Sequence, residues 1–275
     1  MVFKPEVWSA RTLVALRKNL VYAGPTVVNH DYEGEIQKQG DLVHIRMVGD
    51  VTVSTYTAGS TISYEDTPDA ETTLPIDQSD MFAFKVDDID RAQAGDELAQ
   101  RTDNAGYRMA DKADQYVAGL YTGVVSGNDL GTVSITTGDL AYNNLINLGV
   151  QLDEANVPEQ GRYVVVPPWY YGLLLQNDKF VRFDASGTTD GLRQGLVGRV
   201  DGMDVLKSNN VPVITGDDYA VTAGYPGAIS FANQVSQVEQ LRLETTFATA
   251  VRGLHLYGAK LVRPDGIALL CASQT

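Results

Sequence analysis

The first residues that could carry chemistry are three aspartates close together, Asp87, Asp88 and Asp90. Carboxylates at that density could hold a divalent cation. Calcium loops, however, place their oxygen ligands around a glycine turn and close with an acid, and that arrangement is missing here. The same residues serve equally to start a helix, where acids satisfy free N–H groups and the positive end of the dipole. The three histidines, His30, His44 and His255, are scattered. Distance along the chain is no bar to a triad, but none of the three sits in a recognisable catalytic motif. The glycine-rich run from Gly191 to Gly202 lacks the Gly-Lys-Ser/Thr ending of a phosphate loop. Gly-x-Ser-x-Gly and His-Glu-x-x-His are both absent. Trp8, Trp169, Tyr170 and Tyr171 could cage a ligand, although core or interface packing is the commoner use of aromatics. Asp217 and Asp218 fit a turn. The lone cysteine, Cys271, excludes an intrachain disulfide and a cysteine-based zinc site, and reads as a small buried hydrophobe. These residues give no catalytic, cofactor-binding or metal-binding site, and the chain is expected not to be an enzyme.

Charge is the stronger signal. The chain has 275 residues and a formal net charge of -14, the opposite of what a nucleic-acid-binding surface needs. Residues 65–96 hold ten acids (Glu65, Asp66, Asp69, Glu71, Asp77, Asp80, Asp87, Asp88, Asp90, Asp96) against Lys85 and Arg91, a net of -8. Residues 1–18 hold Lys4, Arg11, Arg17 and Lys18 against Glu6, a net of +3. A basic arm and an acidic span could pair within or between subunits, while a solvated acidic surface would serve solubility. The longest apolar runs, such as Ile267 to Ala272, are far too short to span a bilayer. The N-terminus lacks the pattern of a secretion signal.

The elements that must carry these residues fall into zones. Residues 1–29 read as an arm with a short helix from Ser9 to Leu20. Residues 40–57 alternate with many β-branched side chains and break at Gly49-Asp50, which is a hairpin signal. A polar stretch from Ser60 to Pro75 follows, and Met81 to Val86 reads as a returning strand, so residues 30–86 form a two-stranded excursion. A lone hairpin buries too little to stand in water and needs something to lie on. No proline occurs between Asp87 and Gly123, and Met109, Ala113, Tyr116, Val117, Leu120 and Val124 keep helical spacing. An unbroken helix there would run roughly 55 Å, with Gly95, Gly106 and Gly119 as places to bend. Ala141, Leu145, Leu148, Leu152 and Ala155 make an amphipathic helix ended by Pro158. Arg162 to Val166 is a buried-type strand. Pro167-Pro168 leads into a short helix from Trp169 to Gln176, and Met203 to Lys207 is another strand. Strands return through Val238, Leu241 and Leu243, then Leu254 and Leu256. The turn Arg263-Pro264-Asp265-Gly266 precedes a closing strand, Ile267 to Cys271.

The run Arg162-Tyr163-Val164-Val165-Val166-Pro167-Pro168-Trp169-Tyr170-Tyr171-Gly172-Leu173-Leu174 resembles the strand-then-helix of tailed-bacteriophage major capsid proteins. Gly195-Leu196-Val197-Gly198-Arg199-Val200-Asp201-Gly202-Met203-Asp204-Val205, leading into Ser208-Asn209-Asn210-Val211-Pro212, is similar to their glycine-spaced segment. The segments Gly227 to Ala232 and Phe247 to Lys260 resemble the return into their peripheral domain. The resemblance covers roughly residues 30–275 and implies an α+β fold of the Hong Kong 97 type. It would divide into an N-terminal arm (1–29), an extended β-hairpin loop (30–86), a peripheral domain with a long spine helix (87–135 and 229–275) and an inserted axial α/β domain (136–228). It also implies a major capsid protein that self-assembles into pentamers and hexamers of an icosahedral shell. That shell would enclose double-stranded DNA without reading its sequence, and would be built in the host bacterial cytoplasm with a portal among its partners. The long helix begins too early for a cleaved scaffolding segment, so a separate scaffolding protein is expected. Residues 39–84 contain no lysine, which argues against a crosslink from the tip of the loop. Candidate inter-subunit contacts are Arg11, Arg17 and Lys18 on one side and Glu65, Asp66, Asp69, Glu71, Asp77 and Asp80 on the other. An encapsulin-like nanocompartment shell shares the fold and is the nearest alternative. A phage tail-tube protein and a soluble α/β hydrolase are more distant ones.

Overall fold

The computed structural model describes residues 21–31, 42–47, 53, 55, 70–87, 97–177, 196–243 and 247–274. Two sheets organise them. The larger has seven strands in the order β4-β12-β9-β5-β7-β6, with β8 paired to β9. Its strands are β4 (Asp129–Ser134), β5 (Tyr163–Val166), β6 (Leu196–Val200), β7 (Met203–Lys207), β8 (Val213–Thr215), β9 (Asp218–Gly224) and β12 (Ile267–Ser273). The smaller has three antiparallel strands, with β11 (Ala248–Leu261) between β10 (Ile229–Arg242) and β3 (Gln78–Asp87). A separate ribbon pairs β1 (Leu42–Met47) with β2 (Ala70–Pro75).

The seven-stranded sheet is covered on both faces, which explains why β5 has no polar side. Val164 and Val166 point into one core with Leu145, Leu148 and Leu152 of α2 (Gly138–Glu154) and Tyr170 and Leu174 of α3 (Pro168–Leu174). Thr137 caps α2, accepting the Leu140 N–H at 3.3 Å, and Pro168 opens α3 where no N–H is required. Tyr163 and Val165 point the other way, into a second core. There they meet Ala113, Val117 and Ala118 of α1 (Glu97–Ala118), residues 22–28 and the start of the three-stranded sheet, through Phe231, Tyr257 and Ala259.

Several expectations are corrected by these pairings. The described partner of β1 is β2, in the register Leu42↔Pro75 to Met47↔Ala70, so the polar-looking segment supplies the return strand. Met81 to Val86 belongs to β3, which pairs with β11. Asp87 closes β3; Asp88 and Asp90, expected with it to start a helix, lie outside the described residues. The described part of α1 spans 22 residues, about 33 Å at 1.5 Å each. It runs through Gly106 without a break and passes into a tighter 3-10 turn at Gly119–Gly123, so of the expected bend points among the described residues only Gly119 marks a change. β4 and β12, expected in a different unit from β5 to β9, are strands of the same sheet. Cys271 is a free, buried thiol as expected. No helix among the described residues is long and apolar enough to cross a membrane.

Candidate inter-subunit surface

The three-stranded sheet has two different faces. On its inner face Phe82, Phe84 and Val86 pack with Val238 and Val251, and Phe82 also meets Met109 and Ala110 of α1. Cross-strand register puts the alternate residues on the outer face: Met81 opposite Leu254, Ala83 opposite Arg252 and Lys85 opposite Ala250. β10 adds Glu239 opposite Arg252 and Leu241 opposite Ala250. Met81 is 82% exposed, Leu241 44% and Leu254 36%. A cross-strand ion pair lies on this face, with Arg252 Nε and Nη2 both donating to Glu239 Oε2 at 2.9 and 2.5 Å. Apolar side chains aligned on a sheet face, with charges between them, are what an assembly contact requires.

At one end the same face is covered. Ile45, Leu74 and Ile76 from the ribbon pack on Ala232, Leu256 and Val262. The approach is close enough that a Cβ on Gly258 would lie 2.1 Å from the Pro75 carbonyl oxygen. The ribbon, expected to need support, therefore rests its base on its own subunit's sheet.

The candidate acids separate into two groups. Asp80 pairs with Lys112 of α1 and accepts the Tyr257 hydroxyl at 2.8 Å. Asp77 accepts the Tyr116 hydroxyl at 3.3 Å and the Gln78 amide at 3.1 Å. Both thus tie β3 and the approach to it onto α1 and β11 of the same chain. Glu71 lies in β2. Arg11, Arg17, Lys18, Glu65, Asp66 and Asp69 lie outside the described residues. His255, directly opposite Asp80, stacks on Tyr257 at 4.8 Å, and neither ring nitrogen has a hydrogen-bond partner. Burial holds its pKa down at about 4, against the smaller upward pull of Asp80. Buried, neutral and packed on a ring, this imidazole serves as part of the core.

A polar depression of about 610 Å³ lies where α2 ends beside the β6–β7 turn. Its guanidinium groups are committed to the fold. Arg162 is held by Asp153 at 2.6 Å and by the Pro158 and Val157 carbonyls, and Arg199 by Asp204 at 2.5 Å. Among the described residues no cluster of three metal-ligating side chains occurs. Sequence reading missed Asp114, a buried acid on α1; an aspartate inside an otherwise ordinary amphipathic stripe was the available signal.

The phage capsid protein family profile matches residues 70–270. A solved structure from Mycobacterium phage Che8 is 34% identical with a TM-score of 0.73, covering 91% of this chain and 90% of that one. The capsid of cyanophage P-SCSP1u shares the fold at 20% identity and TM-score 0.73, over 94% and 90% of the two chains. A virus-like particle from Pyrococcus furiosus also shares it, at 14% identity and TM-score 0.58, over 96% and 98%. No match is found among curated proteins. The phage reading has a family profile and a relative at 34% identity behind it, and the nanocompartment alternative is the less supported. An α+β chain with the Hong Kong 97-type capsid fold, it belongs to the phage capsid protein family and is a major capsid protein that forms the virion shell.

Proposed function

We propose that the chain assembles into pentamers and hexamers of an icosahedral shell around double-stranded phage DNA. The bare outer face of the three-stranded sheet would receive part of a neighbouring copy. The observation that carries this reading is the contrast along that face. Leu256 is buried beneath the subunit's own ribbon, while Met81 and Leu254, the next pair along the strands, stand open. Residues 48–69 of a neighbouring copy, whose sequence alternates through Val51, Thr52 and Val53, would cover them. Two partly covered surfaces then stabilise each other on assembly.

The arms belong to the same reading. Arg11, Arg17 and Lys18 of one copy meet Glu65, Asp66, Asp69 and Glu71 of another, whereas Asp77 and Asp80 are engaged by their own subunit. The net charge of -14 fits DNA held by confinement and not by an adhesive lining. Assembly takes place in the host cytoplasm with a separate scaffolding protein, and a portal occupies one vertex. In this reading residues 136–228 act as the axial unit, with β4 and β12 joining its sheet, and the rest of 87–135 and 229–275 acts as the peripheral unit.

Negative-stain electron microscopy of the protein, expressed with and without its neighbouring genes, tests the proposal. Closed shells or flat hexameric sheets are expected, and a small discrete oligomer under every condition overturns it. Charge reversal of Arg17 and Lys18 is expected to impair assembly. Normal shells from that variant would remove the arm pairing while leaving the shell reading in place.

A further inference from the structure

Asp114 lies on the inner side of α1 and is 1% exposed. Its Oδ1 accepts three successive backbone N–H groups, from Val21 at 2.8 Å, Tyr22 at 2.5 Å and Ala23 at 3.3 Å. Its Oδ2 accepts the Asn210 side-chain amide at 2.9 Å, and that amide also reaches Asp111 at 2.7 Å. One carboxylate therefore joins three segments distant in sequence: the first described residues, the helix, and the rim of the seven-stranded sheet after β7. Burial raises the pKa of the group, and the N–H donors pull against that shift. A carboxylate in this position is costly unless its bonds do something that packing alone would not.

Packing alone already holds the segment in place. Tyr22, Ala23, Val27 and Val28 are all buried, and Asn29 bridges to Ser230 beside β10. Three consecutive N–H groups converging on one oxygen add orientation, because they fix the successive peptide planes of residues 21–23. They thereby fix the backbone at the point where residues 1–20, which carry the net charge of +3, join the described chain.

We propose that Asp114 is a positioning residue for assembly, a clasp that sets the point and direction from which the N-terminal twenty residues leave the body. Every subunit then offers its basic segment to the same neighbour. This rests on the shell reading above and goes beyond it by naming the residue that aims the arm.

The test uses the full-length chain. In the wild type, the Val21, Tyr22 and Ala23 amides are expected to resist hydrogen exchange as strongly as those of β5, despite lying near the chain's start. Asp114→Ala removes the acceptor and is expected to speed their exchange about tenfold or more, with β5 unchanged. Its assembly products are expected to be open or irregular. Asp114→Asn keeps a carbonyl oxygen for the three N–H groups and is expected to restore both protection and closed shells. Rapid exchange of these amides in the wild type overturns the clasp, and does so even if Asp114→Ala fails to fold. Uniform closed shells from Asp114→Ala with its amides opened overturn the positioning role. If the wild type makes no shell at all, the shell reading and the positioning role fall together, whereas the exchange data still decide whether the clasp exists.

Discussion

The seven-stranded sheet and the three-stranded sheet are built from similar residues but differ in what covers them. Every residue of β12 is buried, and β5 is buried from end to end, because helices lie on one face and α1 with residues 22–28 on the other. β3 alternates instead, with Ser79, Met81, Ala83 and Lys85 exposed and the residues between them turned inward. The first sheet completes its core within one chain. The second is finished on one side only, and its open side lies beside the subunit's own ribbon. In the proposed reading, this arrangement keeps one apolar face for a neighbour, which separates the requirements of folding from those of assembly.

The comparison can be broken most severely in the self-contained half. Leu148→Ala empties space in a fully buried site under α2 and is expected to lower unfolding free energy by about 2–5 kcal/mol. A denaturation midpoint shift near zero would show that core to be loosely packed.

Acid should weaken the other half next. His255 has a pKa of about 4 in place of its ordinary 6.5. A lowered pKa means that the folded state prefers the neutral ring. Its contribution is therefore fully present above 6.5 and lost as pH falls from 6.5 toward 4. The shift corresponds to about 3 kcal/mol at most. His255→Phe is expected to flatten the fall of stability across that window; an unchanged pH profile would mean that His255 does not titrate there.

A smaller effect is expected where ribbon and sheet touch. Gly258→Ala drives a methyl against the Pro75 carbonyl and should cost about 1–3 kcal/mol, read as faster proteolysis within the ribbon and a lower melting temperature. The smallest effect on stability is expected from Met81→Lys with Leu254→Lys, within about 0.5 kcal/mol, since both side chains are exposed in the free subunit. The same variant is expected to abolish shell formation. That pairing of a negligible melting shift with lost assembly separates the two halves most sharply.

Much of the self-contained half could be read from the sequence, because its signals are local. The run Tyr163–Val166, rich in β-branched valine, the proline opening α3 and the 4-3-4 spacing of Ala141, Leu145, Leu148 and Leu152 each report their own environment. The three-stranded half was harder because its facts are pairings. Alternation at Leu42–Met47 marked a strand but not its partner, which lies more than 20 residues away at Ala70–Pro75. β3 and β11 pair across some 170 residues, and only that register places Met81 beside Leu254. Asp80 was legible as an acid in an acidic span, but its bonds to Lys112 and Tyr257 required the fold. Asp114 was hidden for the same reason, since three of its four donors are backbone groups that no residue type announces.

The most direct test of the central claim is peroxide oxidation of Met81, followed by mass spectrometry, in free subunits and in assembled shells. Met81 is 82% exposed in the subunit, so its thioether should oxidise readily there and be strongly protected once the shell has formed. Equal oxidation in both states would show that no neighbour covers this face and would contradict the account.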